Sequence, residues 1–216
     1  MLNLETNPVV SPDKKRRSKR KPDTRRVSDE ARFFRTWLRR PLVMGAVSPS
    51  SKALGRAMAG YVPDPTQFDE SSMVLELGPG TGVVTQCLIE RGVPESSLHL
   101  VEYSEEFCVL LRARFPKAKV THGDAYQVAA EIESHADGRR LEAVISGLPL
   151  FTKPDQQREI VVGAPLARMA AGRPFIQFSY ALTLPVKPAR IGATIETSPW
   201  IKRNLPPARV LVYRKD

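Results

Sequence analysis

Apolar positions are sparse in the first 27 residues, where "KKRRSKRKPDTRR" offers almost nothing that a core could use. Such a segment cannot bury enough apolar surface to offset the entropy of ordering it, so a disordered basic tail is expected over residues 1–27. The pattern changes at "SDEARFFRTWLRRP". There Ser28 can cap a helix, Asp29 and Glu30 sit in its positive first turn, and Pro41 ends it. Phe33, Phe34, Trp37 and Leu38 fall at i, i+1, i+4 and i+5, which is one helical face, while Arg32, Arg35 and Arg39 lie away from it. "GAVSPSSKALGRAMAGYV" then reads as a loop followed by a helix from about Pro49 or Ser50 to Gly60.

From about residue 73 short apolar runs alternate with amphipathic segments. The pattern predicts strands near 73–77, 98–102, 118–122, 141–146 and 174–180, and helices near 82–91, 105–115, 125–133 and 155–171. Alternation of this kind implies right-handed βαβ crossovers and a parallel sheet covered on both faces. The end differs: "IGATIETSPWI" and "PARVLVYRK" are two strands with no helix between them, and such a pair is antiparallel.

Charge divides the chain in the same places. Residues 1–40 hold 13 Lys/Arg and 5 Asp/Glu, a net +8, whereas residues 41–216 hold 20 and 18, a net +2. A cationic arm on a nearly neutral body seeks polyanions, either nucleic acid or an anionic lipid surface, unless it is a solvated tail. The helix over 28–41 has two readings as well. Its aromatic face and arginines suit the plane of a lipid headgroup layer, or it packs on the core with its arginines in solvent.

Cys87 and Cys108 lie inside helical patterns without CxxC spacing, and His99, His122 and His135 are scattered. Reduced core thiols and no metal site are expected. No apolar run approaches transmembrane length, and no export signal is recognisable. The expectation is a cytoplasmic protein that meets the inner membrane, if at all, from its surface.

The chemistry begins at "VLELGPGTG". Gly78, Gly80 and Gly82 form GxGxG rather than the GxGxxG dinucleotide fingerprint, and Glu76 precedes them. The glycines allow a sharp turn and close backbone approach, and the acid suits a ligand that lacks a diphosphate. S-adenosylmethionine, a nucleoside joined to an amino acid through a sulfonium, is such a ligand. "HLVEYS" puts Glu102 at the tip of the second strand, 20 residues past Gly82, where it can accept both ribose hydroxyls. "VTHGDA" puts Asp124 after the third strand, placed to accept the adenine amino group, with Leu77, Tyr103 and Ala125 flanking the ring. Ser146 ends the fourth strand, under the transferable methyl group. Together these residues predict an α/β, Rossmann-like class I methyltransferase: a seven-stranded, mostly parallel sheet with an antiparallel terminal hairpin and helices on both faces. Residues 61–216 would form the cofactor-binding core, and residues 28–60 a lid and linker.

"VISGLPLF" follows the fourth strand, where methyltransferases acting on amino nitrogens, such as the ribosomal RNA adenine dimethyltransferases, carry Asn-Pro-Pro-Tyr-like motifs. Here Gly147, Leu148, Pro149 and Leu150 lack both the amide and the ring in register, and Phe151 comes one place late. Loss of a stacking platform, about 1–3 kcal/mol per base, speaks against nucleic acid. With "GAVSPSS", "ELGPGTG", "VEYS", "GDA", "SGLPL" and "QFSYAL", residues 29–213 resemble the bacterial phospholipid N-methyltransferases. The resemblance implies stepwise methylation of phosphatidylethanolamine towards phosphatidylcholine. It also implies that Glu76, Gly78, Gly80, Gly82 and Glu102 hold the cofactor and that the helix over 29–40 binds anionic lipid.

On the substrate side Tyr180 is the candidate to hold the amine or phosphate and to face a methylated ammonium, although a core tyrosine would look the same. Leu148 lies beside the acceptor, and Lys187 and Arg190 can pair with the lipid phosphate. Phe33, Phe34 and Trp37 would enter the lipid layer and close over the methionine end of the cofactor. The rival reading is an RNA or DNA adenine methyltransferase whose basic arm reaches phosphates.

Overall fold

The computed structural model describes residues 50–216. The basic tail and the helix expected over residues 28–41, with Arg32, Phe33, Phe34, Arg35 and Trp37, lie outside the described residues. The first described helix, α1 (Lys52–Ala59), begins where the Ser51 hydroxyl accepts the Leu54 N–H, and Gly60 caps its end.

Six more strands and five more helices follow β1 (Ser72–Leu77) in the alternation expected. They are α2 (Val83–Glu90), β2 (Leu98–Glu102), α3 (Glu105–Arg114), β3 (Lys119–His122), α4 (Ala125–Ala130), α5 (Ile132–His135), β4 (Arg140–Ser146), α6 (Asp155–Arg168), β5 (Phe175–Ser179), β6 (Thr194–Thr197) and β7 (Arg209–Arg214). The strands form one sheet in the order β3-β2-β1-β4-β5-β7-β6. Pairing is parallel from β3 through β5, and β7 runs antiparallel to both β5 and β6. This is the fold class the sequence predicts.

Every residue of β1, β2 and β5 is buried, as strands covered on both faces must be. Side-chain alternation divides them between two apolar layers. Val74, Val210 and Val212 pack in one layer with Leu54 and Met58 of α1 and Val84 and Leu88 of α2. Leu75, Leu77, Leu211 and Tyr213 pack in the other with Val128 of α4 and Val161 and Leu166 of α6. Each fully buried side chain of this size contributes about 1.5–3 kcal/mol, so the two layers hold the sheet rigidly between them. Glu76, two residues beyond Val74, therefore faces the α1/α2 layer.

Two helices depart from expectation. The segment 125–133 is interrupted at Glu131 (φ −107, ψ 34), where the Ser134 N–H reaches the Glu131 carbonyl three residues back and tightens the turn. The helix expected to reach 171 ends at Arg168, because Met169 is extended and Gly172 (φ 76) turns the chain towards β5.

Candidate functional site

In an open sheet of this kind ligands bind beyond the carboxyl ends of the parallel strands, where the strand order reverses. Here β1 and β4 are neighbours and leave that edge side by side. After β1, Gly78, Gly80 and Gly82 take φ of 70, 57 and 79, the left-handed region that side chains avoid. A Cβ on Gly78 would lie 3.1 Å from Leu148 Cδ2, and one on Gly82 2.6 Å from the Phe115 ring. The turn after β4 is pressed against this loop: the Gly147 N–H donates to the Leu77 carbonyl at 2.8 Å, and a Cβ on Gly147 would come within 2.6 Å of the Gly78 carbonyl oxygen.

Glu102 ties the second strand tip to the same loop. One of its carboxylate oxygens accepts the Gly80 N–H at 3.0 Å and the other the Ser104 N–H at 2.9 Å. Each oxygen keeps a second lone pair, which a ribose hydroxyl can use. Beyond it opens a cleft of about 550 Å³, within the 300–1,000 Å³ usual for small-molecule sites.

Of the residues predicted for the cofactor, Gly78, Gly80, Glu102, Tyr103, Asp124 and Ala125 line the cleft, and so does Leu148. Tyr103 is 76% exposed. Asp124 caps α4 by accepting the Tyr126 N–H at 2.8 Å.

Glu76, Gly82, Ser146 and Leu77 are not part of the cleft wall. Leu77 is packed in the core, which corrects its expected place beside the ring. Gly82 starts α2, and the Ser146 hydroxyl, fully buried, accepts the Leu148 N–H at 3.3 Å. Glu76 is 2% exposed, and its Oε2 accepts the Thr85 hydroxyl of α2 at 2.7 Å. Burial pushes its pKa up to about 7; the Thr85 hydrogen bond opposes this, and the nearby Glu102 charge adds to it. It is a buried acid behind the glycine turn.

A second, smaller pocket shares the Leu148–Pro149 wall and Thr152 with the cleft and is otherwise lined by residues such as Phe151, Gln177 and Tyr180. Tyr180 lines this second pocket, its ring edge-on to Phe178 with the centroids 5.4 Å apart. Lys187 and Arg190 line neither space, and Arg190 is paired with Glu159 at 3.0 Å.

Sequence reasoning passed over three residues that the structure brings here. Tyr126 lines the cleft with its phenol pushed up to about 12 by burial, and Lys153 Nζ lies 4.5 Å from its ring centroid. Tyr126 directly follows "GDA", which was the available signal. Gln177, at the end of β5, donates its Nε2 to the Leu148 and Phe178 carbonyls at 3.1 and 2.8 Å, which fixes the amide orientation. Its buried Oε1 has no partner among the described residues. Among the described residues no group of three or more His, Cys, Asp or Glu is placed to hold a metal ion.

A sulfonium nucleoside fits this cleft: its glycine loop takes the left-handed backbone at 78 and 80 that lets main chain approach a ligand closely, and its carboxylates Glu102 and Asp124 offer acceptors to hydroxyl and amino groups.

The comparisons agree. The family model described as ribosomal RNA adenine dimethylase matches residues 59–165, just under half of the chain. An ornithine lipid N-methyltransferase of Singulisphaera acidiphila is 26% identical over 132 residues, 59% of this chain and 66% of that protein. A ribosomal RNA small subunit methyltransferase A of a Synechococcus strain is 32% identical over 143 residues, 61% of this chain and 45% of that protein. The chain thus matches less than two thirds of the length of these relatives.

Among solved structures, 1,6-didemethyltoxoflavin-N1-methyltransferase of Burkholderia thailandensis superposes with a TM-score of 0.60 at 14% identity, covering 96% of this chain and 93% of that one. TrmN of Thermus thermophilus gives 0.59 at 13% identity, covering 80% and 51%. At such identities the likeness shows the fold alone. The fold is the one these methyltransferases share, and the ribosomal RNA adenine dimethylase model matches the part of the chain that builds the cleft.

Proposed function

We propose that the protein transfers methyl groups from S-adenosylmethionine to the amine of a phospholipid at an anionic membrane surface, with phosphatidylethanolamine, methylated stepwise towards phosphatidylcholine, as the substrate. One observation carries the choice of acceptor. The wall beside the cleft has no amide at Gly147 and no ring at Leu150, and the Phe151 ring already has the Arg158 guanidinium 5.3 Å from its centroid. An extruded base would find neither an amide acceptor at 147 nor a stacking ring at 150. A side chain at 147 is also excluded by the Gly78 carbonyl. The match to a lipid-amine methyltransferase supports the same reading.

The cofactor supplies an electrophilic methyl group on a sulfonium. Glu102 and Asp124 orient the nucleoside, and the glycine turn brings backbone close to the remainder. Leu148 and Pro149 form an apolar partition between cofactor cleft and acceptor pocket, and keeping water out of that gap favours alignment over hydrolysis. Tyr180 holds the headgroup side. The amine would have to shed a proton before its lone pair could accept that methyl group, with the sulfur leaving as a neutral thioether.

The alternative, methylation of adenine in RNA, draws on the family model and the basic first 40 residues. Incubation with methyl-labelled S-adenosylmethionine and either phosphatidylethanolamine vesicles or RNA separates them. Label that follows the lipid into organic solvent is expected; label retained on RNA would overturn the proposal.

A further inference from the structure

The carboxyl edge of the sheet carries, besides the cleft, an exposed surface that the proposed chemistry does not use. β5 ends at that edge and is followed by Leu182, 71% exposed. Because β7 runs antiparallel to β5, with Arg209 opposite Ser179, the loop between β6 and β7 emerges at the same edge. That loop, "SPWIKRNLPPA", exposes Leu205 (82%) and half-exposes Trp200 (36%), with Lys202 and Arg203 in solvent between them.

These groups form one surface. Arg209 donates to the Leu182 carbonyl at 2.8 Å while its guanidinium carbon stands 5.4 Å from the Trp200 ring centroid. The loop is also anchored: Ile201 bridges to Ala208, and buried Asn204 accepts the Ser51 N–H at 2.8 Å and donates to the Pro206 carbonyl. Three exposed or half-exposed apolar side chains, Leu182, Trp200 and Leu205, on one surface mark an interaction site.

Charge says what covers them. Residues 181–209 hold five Lys or Arg and a single acid; Arg190 is paired with Glu159 and Glu196 with Arg214, so the excess charge of the loop lies on Lys202 and Arg203, with Arg209 beside them. Exposed leucines such as Leu182 and Leu205 gain more from the apolar layer of a bilayer than from a phosphate backbone. The ring of Trp200 already carries a cation on one side, which lessens its value as a stacking platform. A tryptophan, leucines and basic residues at one level suit the headgroup boundary of an anionic bilayer, where indole sits at the interface and ammonium and guanidinium groups reach the lipid phosphates.

We infer that the β6–β7 loop and the turn after β5 are a membrane-docking surface that seats on anionic lipid and turns the acceptor pocket, whose wall includes Tyr180 and Pro185, towards the bilayer. The inference rests on the lipid reading of the site but adds a contact separate from the helix expected over 28–41. The Asn204–Ser51 hydrogen bond places this loop beside the first of the described residues.

The test reads binding rather than turnover, using the full chain and vesicles with or without phosphatidylglycerol. The chain has two tryptophans, so Trp37→Phe leaves Trp200 as the sole indole reporter. Quenching of its fluorescence by brominated anionic vesicles is expected, and none would overturn the inference. Each cation near an anionic surface is worth about five-fold in partition, so Lys202→Glu with Arg203→Glu should weaken vesicle association by about 25-fold or more. Trp200→Ser with Leu205→Ser should weaken it too, with S-adenosylhomocysteine binding retained as proof of folding. Vesicle association equal to wild type in both double variants, or a loss confined to RNA association, would reject the surface. Absence of methyl transfer to lipid by the unaltered protein would sink the functional reading alone.

Discussion

Replacing Glu76 with Gln should make the ligand-free protein more stable at pH 8 and change it much less at pH 5. In the folded protein this carboxyl is enclosed, and desolvation drives its pKa from 4.5 to about 7. Below pH 4.5 the folded and unfolded chains both hold the proton, and nothing is lost. As the pH rises from 4.5 to about 7 the unfolded chain ionises first, the folded state binds more protons, and stability falls. About 2.5 pH units at 1.36 kcal/mol each caps the loss near 3 kcal/mol at and above neutrality. Gln keeps the hydrogen bond from Thr85 on its carbonyl and has no charge to desolvate, but its new N–H groups need partners, so the observed gain lies below that cap. For a chain of this length 1 kcal/mol moves Tm by about 2–4 °C, which puts the rise at pH 8 at up to about 10 °C. Scanning fluorimetry of both proteins across this range measures it. Parallel stability curves for the two proteins would refute the idea that an enclosed acid behind the glycine turn carries the pH dependence.

Gly147→Ala should cost about 1–3 kcal/mol of stability and weaken S-adenosylhomocysteine binding, since its Cβ would drive the Gly78 carbonyl out of place; unchanged melting and calorimetry would mean the two turns are independent. Replacing Phe33, Phe34 and Trp37 with Ala should strongly weaken binding to anionic liposomes while a Gly80→Val protein binds as wild type does, and undiminished sedimentation of the triple variant would mark the helix expected there as ordinary core. A cationic cofactor bound near Glu76 should favour its ionised form. Calorimetry at pH 7 in buffers of different ionisation enthalpy should therefore report proton release, whereas identical heats would deny the coupling.

The glycine turn, Glu102 and Asp124 were legible because each is fixed by its distance from a strand end, and strand ends are marked by the switch from apolar runs to Gly, Ser and Asp. Which way a side chain points from a doubly covered strand is harder to read. All six residues of β1 are buried, so the sequence offers no apolar–polar alternation to show that Glu76 faces Thr85 and α2 while Leu77 faces the opposite layer. Gln177 was hidden for the same reason: an amide in a fully buried strand looks like any core position until Leu148 is seen to cross its end. Lys187 and Arg190 were placed by charge alone, and charge does not say that Glu159 of α6 stands next to the loop.

The cleft assignment rests on Glu102, the carboxylate that links Gly80 to Ser104 and faces the ligand space. Titration calorimetry of S-adenosylhomocysteine into the wild type and Glu102→Ala is the shortest route to testing it. One site per chain in the wild type and at least about ten-fold weaker binding in the variant are expected, as a buried charge-assisted hydrogen-bond acceptor is worth about 1.5–3 kcal/mol. Equal affinity in the two proteins, or no heat in the wild type, would contradict the account.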